Sequence, residues 1–242
     1  CGCGDFLEEY SQDLTYATNC QDLEELLVGG GYAVQWPTSL TLFNASTLRA
    51  VQNGFYLCGL HVMDDDVEAA VYGMEEEGQP YELLGAFYRW AINPCNDGSS
   101  EYDDPDWQGL YMHIGVANAV IDKVDEFTEE SEEDRNRVKG QAYFLRAYYY
   151  YFLVNLYAEA YSAVSADEDP GVPLKNFAYI DDRYWERATV QEVYDQIVLD
   201  LRAAVDCLEG QAPRSVYWAG EDAARLLLGR VYCYMGQWDS VP

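Results

Sequence analysis

VKGQAYFLRAYYYYFLVNLYAEAY, residues 138–161, decides how the rest of the chain is read. Val138, Ala142, Leu145, Tyr149, Phe152 and Leu156 lie three or four residues apart, which sets them along one stripe of a helix. Tyr143, Ala147, Tyr150, Val154 and Tyr157 fall on the neighbouring arc, so little of the circumference is left for water. Arg146, Asn155 and Glu159 interrupt that surface. The pattern is that of a helix packed between other helices in a large domain, and it is too polar to span a membrane.

Working outward, further helices flank this one. Asp104 followed by Pro105 is a start signal, a cap and then a proline in the first turn. From there Leu110, Ile114, Ala117, Ile121 and Val124 mark an amphipathic helix ending near Phe127. Ser131-Glu132-Glu133-Asp134 resembles a capping box and opens the central helix; the short link predicts antiparallel neighbours. After it, SAVSADEDPGVPLKNFAYIDDRYWER is too rich in Pro, Gly and Asp to be helical throughout. Thr189-Val190-Gln191-Glu192 is a cleaner capping box, starting a helix with Val190, Tyr194, Ile197, Leu201, Ala204 and Leu208 on one stripe and Gly210 as its stop. A last helix is predicted from about Glu221 to Met235, with Ala223, Leu227, Val231 and Tyr234 inward and Gly236 ending it. Cys207 lies at one end of this pair and Cys233 far along the other helix, so they are not expected to bridge.

The N-terminal part is less regular. Asn19 caps a short predicted helix, QDLEELLVGGGY, stopped by its three glycines. Between Tyr32 and Asn53 periodicity is missing, and Trp36-Pro37 and TSLTLFNAST indicate irregular structure. Asn44-Ala45-Ser46 fits a glycosylation sequon, a pattern common by chance. Asp64-Asp65-Asp66 and the loop NPCNDGSSEYDDPD are acidic, but their spacing does not match a calcium-binding loop, and a solvated acidic loop is expected. The expected organisation is therefore an irregular segment, 1–104, followed by a helical repeat region, 105–242.

Composition excludes some functions. A net charge of -29 makes nucleic acid and anionic membrane surfaces poor partners, since both require clustered Lys and Arg. With 22 Tyr, 6 Trp and 8 Phe, the chain carries many rings with polar tips, suited to helix packing and to wet, adhesive surfaces such as sugar platforms. Seven cysteines include no C-x-x-C pair and no Cys/His ligand spacing, so neither zinc nor thioredoxin-type chemistry is expected, and no cofactor is implied. The opening CGCGDFLEEY places Cys1 and Cys3 where a lipoprotein signal peptide leaves its acylated cysteine, and either would anchor the chain by burying acyl groups. His61 and His113 are the only histidines; no G-x-S-x-G, H-E-x-x-H or phosphate loop accompanies them, so no catalytic residue is assigned. His113 is expected to pack or to face solvent.

The four helices after Asp104, the central one included, pair in order into two copies of one unit, an amphipathic helix followed by a more buried one rich in Ala and Tyr. Gly140…Tyr143…Ala147…Tyr151 and Ala224…Gly229…Tyr232…Gly236-x-Trp238 resemble tetratricopeptide repeats. The fold class is thus mostly all-α, a superhelix of helical hairpins with an irregular N-terminal segment.

A series of segments in order along the chain resembles the SusD/RagB family of outer-membrane nutrient-binding lipoproteins. They are an N-terminal Cys followed by Asp5-Phe6-Leu7; Asp22-Leu23 through Leu26-Leu27 and Gly31-Tyr32; and Trp107-x-x-Leu110-Tyr111-x-x-Ile114-x-x-Ala117-Asn118-x-Val120-Ile121. Gly140-Gln141-Ala142-Tyr143-Phe144-Leu145-Arg146-Ala147, Gly171-Val172-Pro173-Leu174, Arg187-Ala188-Thr189-Val190 and Ala223-Ala224-x-Leu226-Leu227-x-Gly229-Arg230-Val231-Tyr232 follow. The resemblance implies a non-enzymatic, lipid-anchored protein of the outer membrane and cell surface that captures oligosaccharide and covers a TonB-dependent, SusC-like porin. Its only membrane attachment would be the lipid. Family members usually continue into a second half, so this sequence is expected to be an N-terminal portion.

Sugar capture needs an aromatic face for the apolar side of the ring and amide or guanidinium groups for its hydroxyls. Arg89, Trp90 and Asn93 supply those types, and Trp90-x-x-Asn93 resembles the Trp-x-x-Asn of the family's founding member. Trp36 and Trp185 lack a polar companion pattern, while Trp107, Trp218 and Trp238 are assigned to the helical core. The alternative function is a peptide- or protein-binding adaptor of the RagB type, using aromatic grooves between helices.

Overall fold

The computed structural model describes residues 17–32, 63, 87–90, 105–179 and 184–241. Trp36, Asn44, His61, Asp64–Asp66, Asn93, the acidic loop up to Asp104, and Cys1 and Cys3 lie outside the described residues. The chain divides into two compact units, one comprising Cys1–Tyr32 with Leu110–Pro242 and the other Ala33–Gly109.

Five α-helices are described: α1 Cys20–Leu26, α2 Pro105–Val124, α3 Glu132–Tyr157, α4 Val190–Leu208 and α5 Glu221–Tyr234. A π-helical turn, Leu27–Gly31, extends α1. Among the described residues no strand forms, only an isolated bridge between Pro170 and Thr189 in the long α3–α4 connection. The fold is helical, as the periodicity predicts.

The caps explain the boundaries. The Asn19 side chain accepts from the Asp22 amide at 2.9 Å, and Ser131 Oγ accepts from the Asp134 amide at 3.0 Å. Thr189 and Glu192 form the predicted reciprocal box, at 3.2 and 2.8 Å. Gly210 and Gly236 both adopt φ +69°, the left-handed conformation that lets glycine close a helix.

Neighbouring helices run antiparallel, because paired residue numbers rise on one as they fall on the next. Between α2 and α3 the pairs are Tyr111–Tyr150, His113–Tyr149, Asn118–Arg146 and Asp125–Lys139. Between α3 and α4 they are Gly140–Leu208, Arg146–Asp200 and Asn155–Tyr194. Arg202 with Tyr232, and Gly210 with Glu221, continue the alternation to α5. At Gly140 the α3–α4 approach is close: an added Cβ would sit 2.6 Å from Leu208 Cγ.

Several expectations are corrected. The three glycines do not stop α1; they form the π turn, whose carbonyls are taken up by side chains of α2 and α3. The central helix ends at Tyr157 instead of running to Tyr161, because Asn155 bonds back to the Tyr151 carbonyl and Arg187 caps the Tyr157 carbonyl at 2.9 Å. On α5 the buried stripe is rotated by one residue at the start, with Ala224 buried and Ala223 only partly so. Towards its end Tyr232 is buried and Tyr234 exposed. Trp238, expected in the core, is 68% exposed on a 3-10 turn, Trp238–Ser240, beyond the glycine.

Arg146, which interrupts the apolar stripe, is buried at 5% exposure. Its guanidinium donates to both oxygens of buried Asp200 on α4, Nε to Oδ2 at 2.8 Å and Nη2 to Oδ1 at 2.6 Å, and its Nη1 donates to Asn118 Oδ1 on α2 at 2.9 Å. Burial pushes the Asp200 carboxyl up, while Arg146 and the Gln196 amide, which donates at 2.9 Å, pull it back. Removing one partner of a buried pair strands the other, at a cost of about 3–5 kcal/mol. Asp200→Ala is therefore expected to lower the urea unfolding free energy by about that amount, and adding Arg146→Met to recover much of the loss. A loss below about 1 kcal/mol, the level of exposed pairs, would show the pair to be dispensable.

Candidate functional site

Of the residues the sequence puts forward for ligand contact, Arg89 and Trp90 are described. They close a short turn in which the Trp90 amide donates to the Phe87 carbonyl at 2.9 Å. Both are exposed, and the Trp90 side chain is turned to water, at 69% exposure. Trp90 has φ +53°, the one positive value at a non-glycine among the described residues. For a bulky residue that conformation costs free energy of order 1 kcal/mol or more. The backbone thus holds an unusual conformation at a residue whose ring is in water.

The remaining described tryptophans differ. Trp185 is half-buried against Phe177, whose ring is stacked on Tyr179 at 3.9 Å. Trp107 is also half-buried. Trp218, assigned to the core from sequence, instead lines an open cleft with Gln21, Glu24, Glu25, Val28 and Arg214.

The cleft lies between α1 and the segment 214–219, and buried polar groups fix both its walls. Glu24, 4% exposed, receives Arg137 Nε at 3.3 Å and also pairs with Arg214, which keeps 49% of its side chain exposed. Asp134 accepts from Arg137 at 2.6 Å and lies 3.6 Å from Arg214. Tyr32 OH donates to Gln141 Oε1 at 2.8 Å and accepts the Ala219 amide at 2.8 Å, tying the segment to α1 and α3 together. Burial pushes the Tyr32 phenol up to about 12. Sequence reasoning missed this arrangement. Its signal is faint: Arg214-Ser215-Val216-Tyr217-Trp218, one basic residue beside aromatics in a very acidic chain.

Among the described residues no group of three or more His, Cys, Asp or Glu is placed to hold a metal, and no helix is long and apolar enough to cross a membrane. Cys20, Cys207 and Cys233 are free thiols.

Residues 82–233 match the SusD-like family described as starch-binding and associating with the outer membrane. The chain belongs to that family. A stretch of 105 residues is 31% identical to SusD-like protein P2 of Formosa agariphila, covering 42% of this chain and 18% of that protein. Among solved structures it is similar to a SusD superfamily protein from Bacteroides fragilis, at 25% identity and TM-score 0.65, over 92% of this chain and 47% of the other. A SusD-like carbohydrate binding protein from Bacteroides vulgatus gives 22% and 0.64, over 92% and 43%. A laminarin binding SusD-like protein gives 21% and 0.63, over 93% and 43%. The chain thus spans less than half the length of these solved relatives.

In this SusD-like chain His113 is structural. It is buried on α2, its Nδ1 lies 2.6 Å from the Gly30 carbonyl, and its ring stacks on Tyr149 at 4.7 Å. A carbonyl only accepts, so Nδ1 carries the proton. Burial holds the imidazole below its ordinary value, opposed by the Gly30 carbonyl. The folded chain keeps His113 neutral while the unfolded chain protonates as pH falls through about 6.5, so this contribution is present above that pH and lost below it. Relative to wild type, a His113→Gln chain should show a flatter dependence of urea unfolding free energy between pH 7.5 and 5.5. Parallel profiles would mean that His113 has no part in it.

Proposed function

We propose that this chain is the ligand-binding, non-enzymatic part of a cell-surface glycan-capture protein of the outer membrane, anchored by a lipid on Cys1 or Cys3 and partnering a TonB-dependent, SusC-like porin. Family membership supports the glycan class. The observation that carries it in this chain is Trp90, held with its ring in water by a strained backbone inside the family-matched region.

On this reading the apolar CH face of a pyranose stacks on Trp90, while Arg89 and Asn93 serve its hydroxyls. No bond is made or broken, and affinity stays modest because little area is covered. That suits a protein that must pass its ligand on to a transporter.

The competing reading, a peptide-binding adaptor, has one feature in its favour. A groove on α5, lined by Leu226, Gly229, Arg230 and Val241, leaves apolar surface exposed beside two arginines, Arg225 and Arg230.

Titration calorimetry of the full chain against a panel of polysaccharides separates the two. Heat is expected with at least one glycan, and Trp90→Ala should weaken it by about tenfold, the value of one good aromatic contact. A blank glycan panel together with saturable heat from peptides would replace the glycan reading with the adaptor.

A further inference from the structure

We infer that the cleft between α1 and segment 214–219 is a second saccharide-binding site, with Trp218 as its aromatic wall and Arg214 as its principal hydroxyl partner. The inference rests on the glycan-binding reading and adds to it a contact that Trp90 does not make.

The open cleft has a volume of about 470 Å³, within the range of small-ligand pockets, roughly 300–1,000 Å³. Trp218 is half-buried and faces this space. Gln21 and Glu25, hydrogen-bonded to each other at 3.0 Å along α1, set an amide and a carboxylate on the same lining. Arg214 completes the set, so one space is lined by a tryptophan and three planar polar groups. This combination fits a polyhydroxylated ring, which has apolar faces and equatorial hydroxyls that both donate and accept.

The polar groups are prepositioned. Arg214 is a long side chain that would ordinarily lose much rotamer freedom on binding, about 0.5–1.5 kcal/mol for each such chain immobilised. Here the buried Glu24 carboxylate already orients it, and Glu24 is itself held by Arg137 and, at 3.5 Å, by Gln141. Arg214 keeps 49% of its side chain exposed and lines the cleft.

Charge narrows the ligand class. Arg137 and Arg214 are matched by Glu24 and Asp134, leaving Glu25 on the rim. No positive charge is spare for a phosphate or carboxylate, and the overall charge of -29 repels anions further. A neutral saccharide remains.

The test titrates the full chain with hexasaccharides from starch, laminarin, xylan and mannan, by calorimetry. For the saccharide bound by wild type, Trp218→Ala and Arg214→Gln should each weaken binding about fivefold, as loss of one aromatic or charged contact implies. Trp218→Phe, which keeps a ring, should retain most of it. Wild-type affinity in Trp218→Ala and Arg214→Gln, with loss confined to Trp90→Ala, would overturn the second site and leave the glycan reading standing. If wild type binds none of the saccharides, both readings fall. Should Trp218→Ala not fold, the indole N–H resonance of wild-type Trp218, assigned by its absence from Trp218→Phe, decides. A shift on adding saccharide supports the site, and an unmoved resonance overturns it.

Discussion

The bidentate pair of Arg146 and Asp200 is the constraint on which the helical unit turns. Three helices contribute to it: Arg146 from α3, Asp200 from α4 and Asn118 from α2. Apolar stripes alone would let these helices slide, since leucine and tyrosine surfaces tolerate a shift of register. A buried guanidinium tolerates far less, because each misplaced donor leaves a desolvated charge. The same network reaches the long α3–α4 connection. Asn118 Nδ2 donates to the Lys175 and Phe177 carbonyls at 2.7 and 3.2 Å. Tyr150 OH donates to the Lys175 carbonyl and accepts its amide. Around Lys175 and Phe177, a segment with no regular structure is thereby tied to the helices it covers.

The α1 end uses the same device with different residues. Glu24, Arg137, Gln141 and Tyr32 connect α1, α3 and segment 214–219 through buried polar contacts. His113 and Tyr149 meanwhile take up the carbonyls of the π turn. The widened turn is what glycine permits: an added Cβ on Gly31 would lie 3.0 Å from Leu27 and 3.4 Å from Leu145. Close approach of α1 to α3 and exposure of carbonyls for side-chain capture are two consequences of one local sequence, Gly29-Gly30-Gly31.

These features mark the boundary of what could be read from the sequence. Thr189 with Glu192, Gly210, and the stripe from Val190 to Leu208 were legible because capping and helical spacing are local rules, and all six stripe residues are buried. The resemblance to the SusD/RagB family was legible because its segments stand in order, and the family match bears it out. Arg146 was visible only as an interruption, since its partner lies 54 residues away. Nothing local distinguishes Glu24 from the other acidic residues around it until Arg137 and Arg214 arrive from distant segments. Trp238 and Tyr234 misled because a stripe extrapolated to the end of a helix assumes a neighbour covering it. Trp90 was legible as a type, a tryptophan beside an arginine, whereas its left-handed backbone was not.

Trp90 and Trp218, the two proposed ligand contacts, are held in place by different physics. Trp90 is presented by backbone strain on a short turn with its side chain mostly in water. On the proposed reading, a ligand there gains a single stacking face. Trp218 and Arg214 are presented by a network whose cost was met on folding, in a concave space where each hydrogen bond is better shielded.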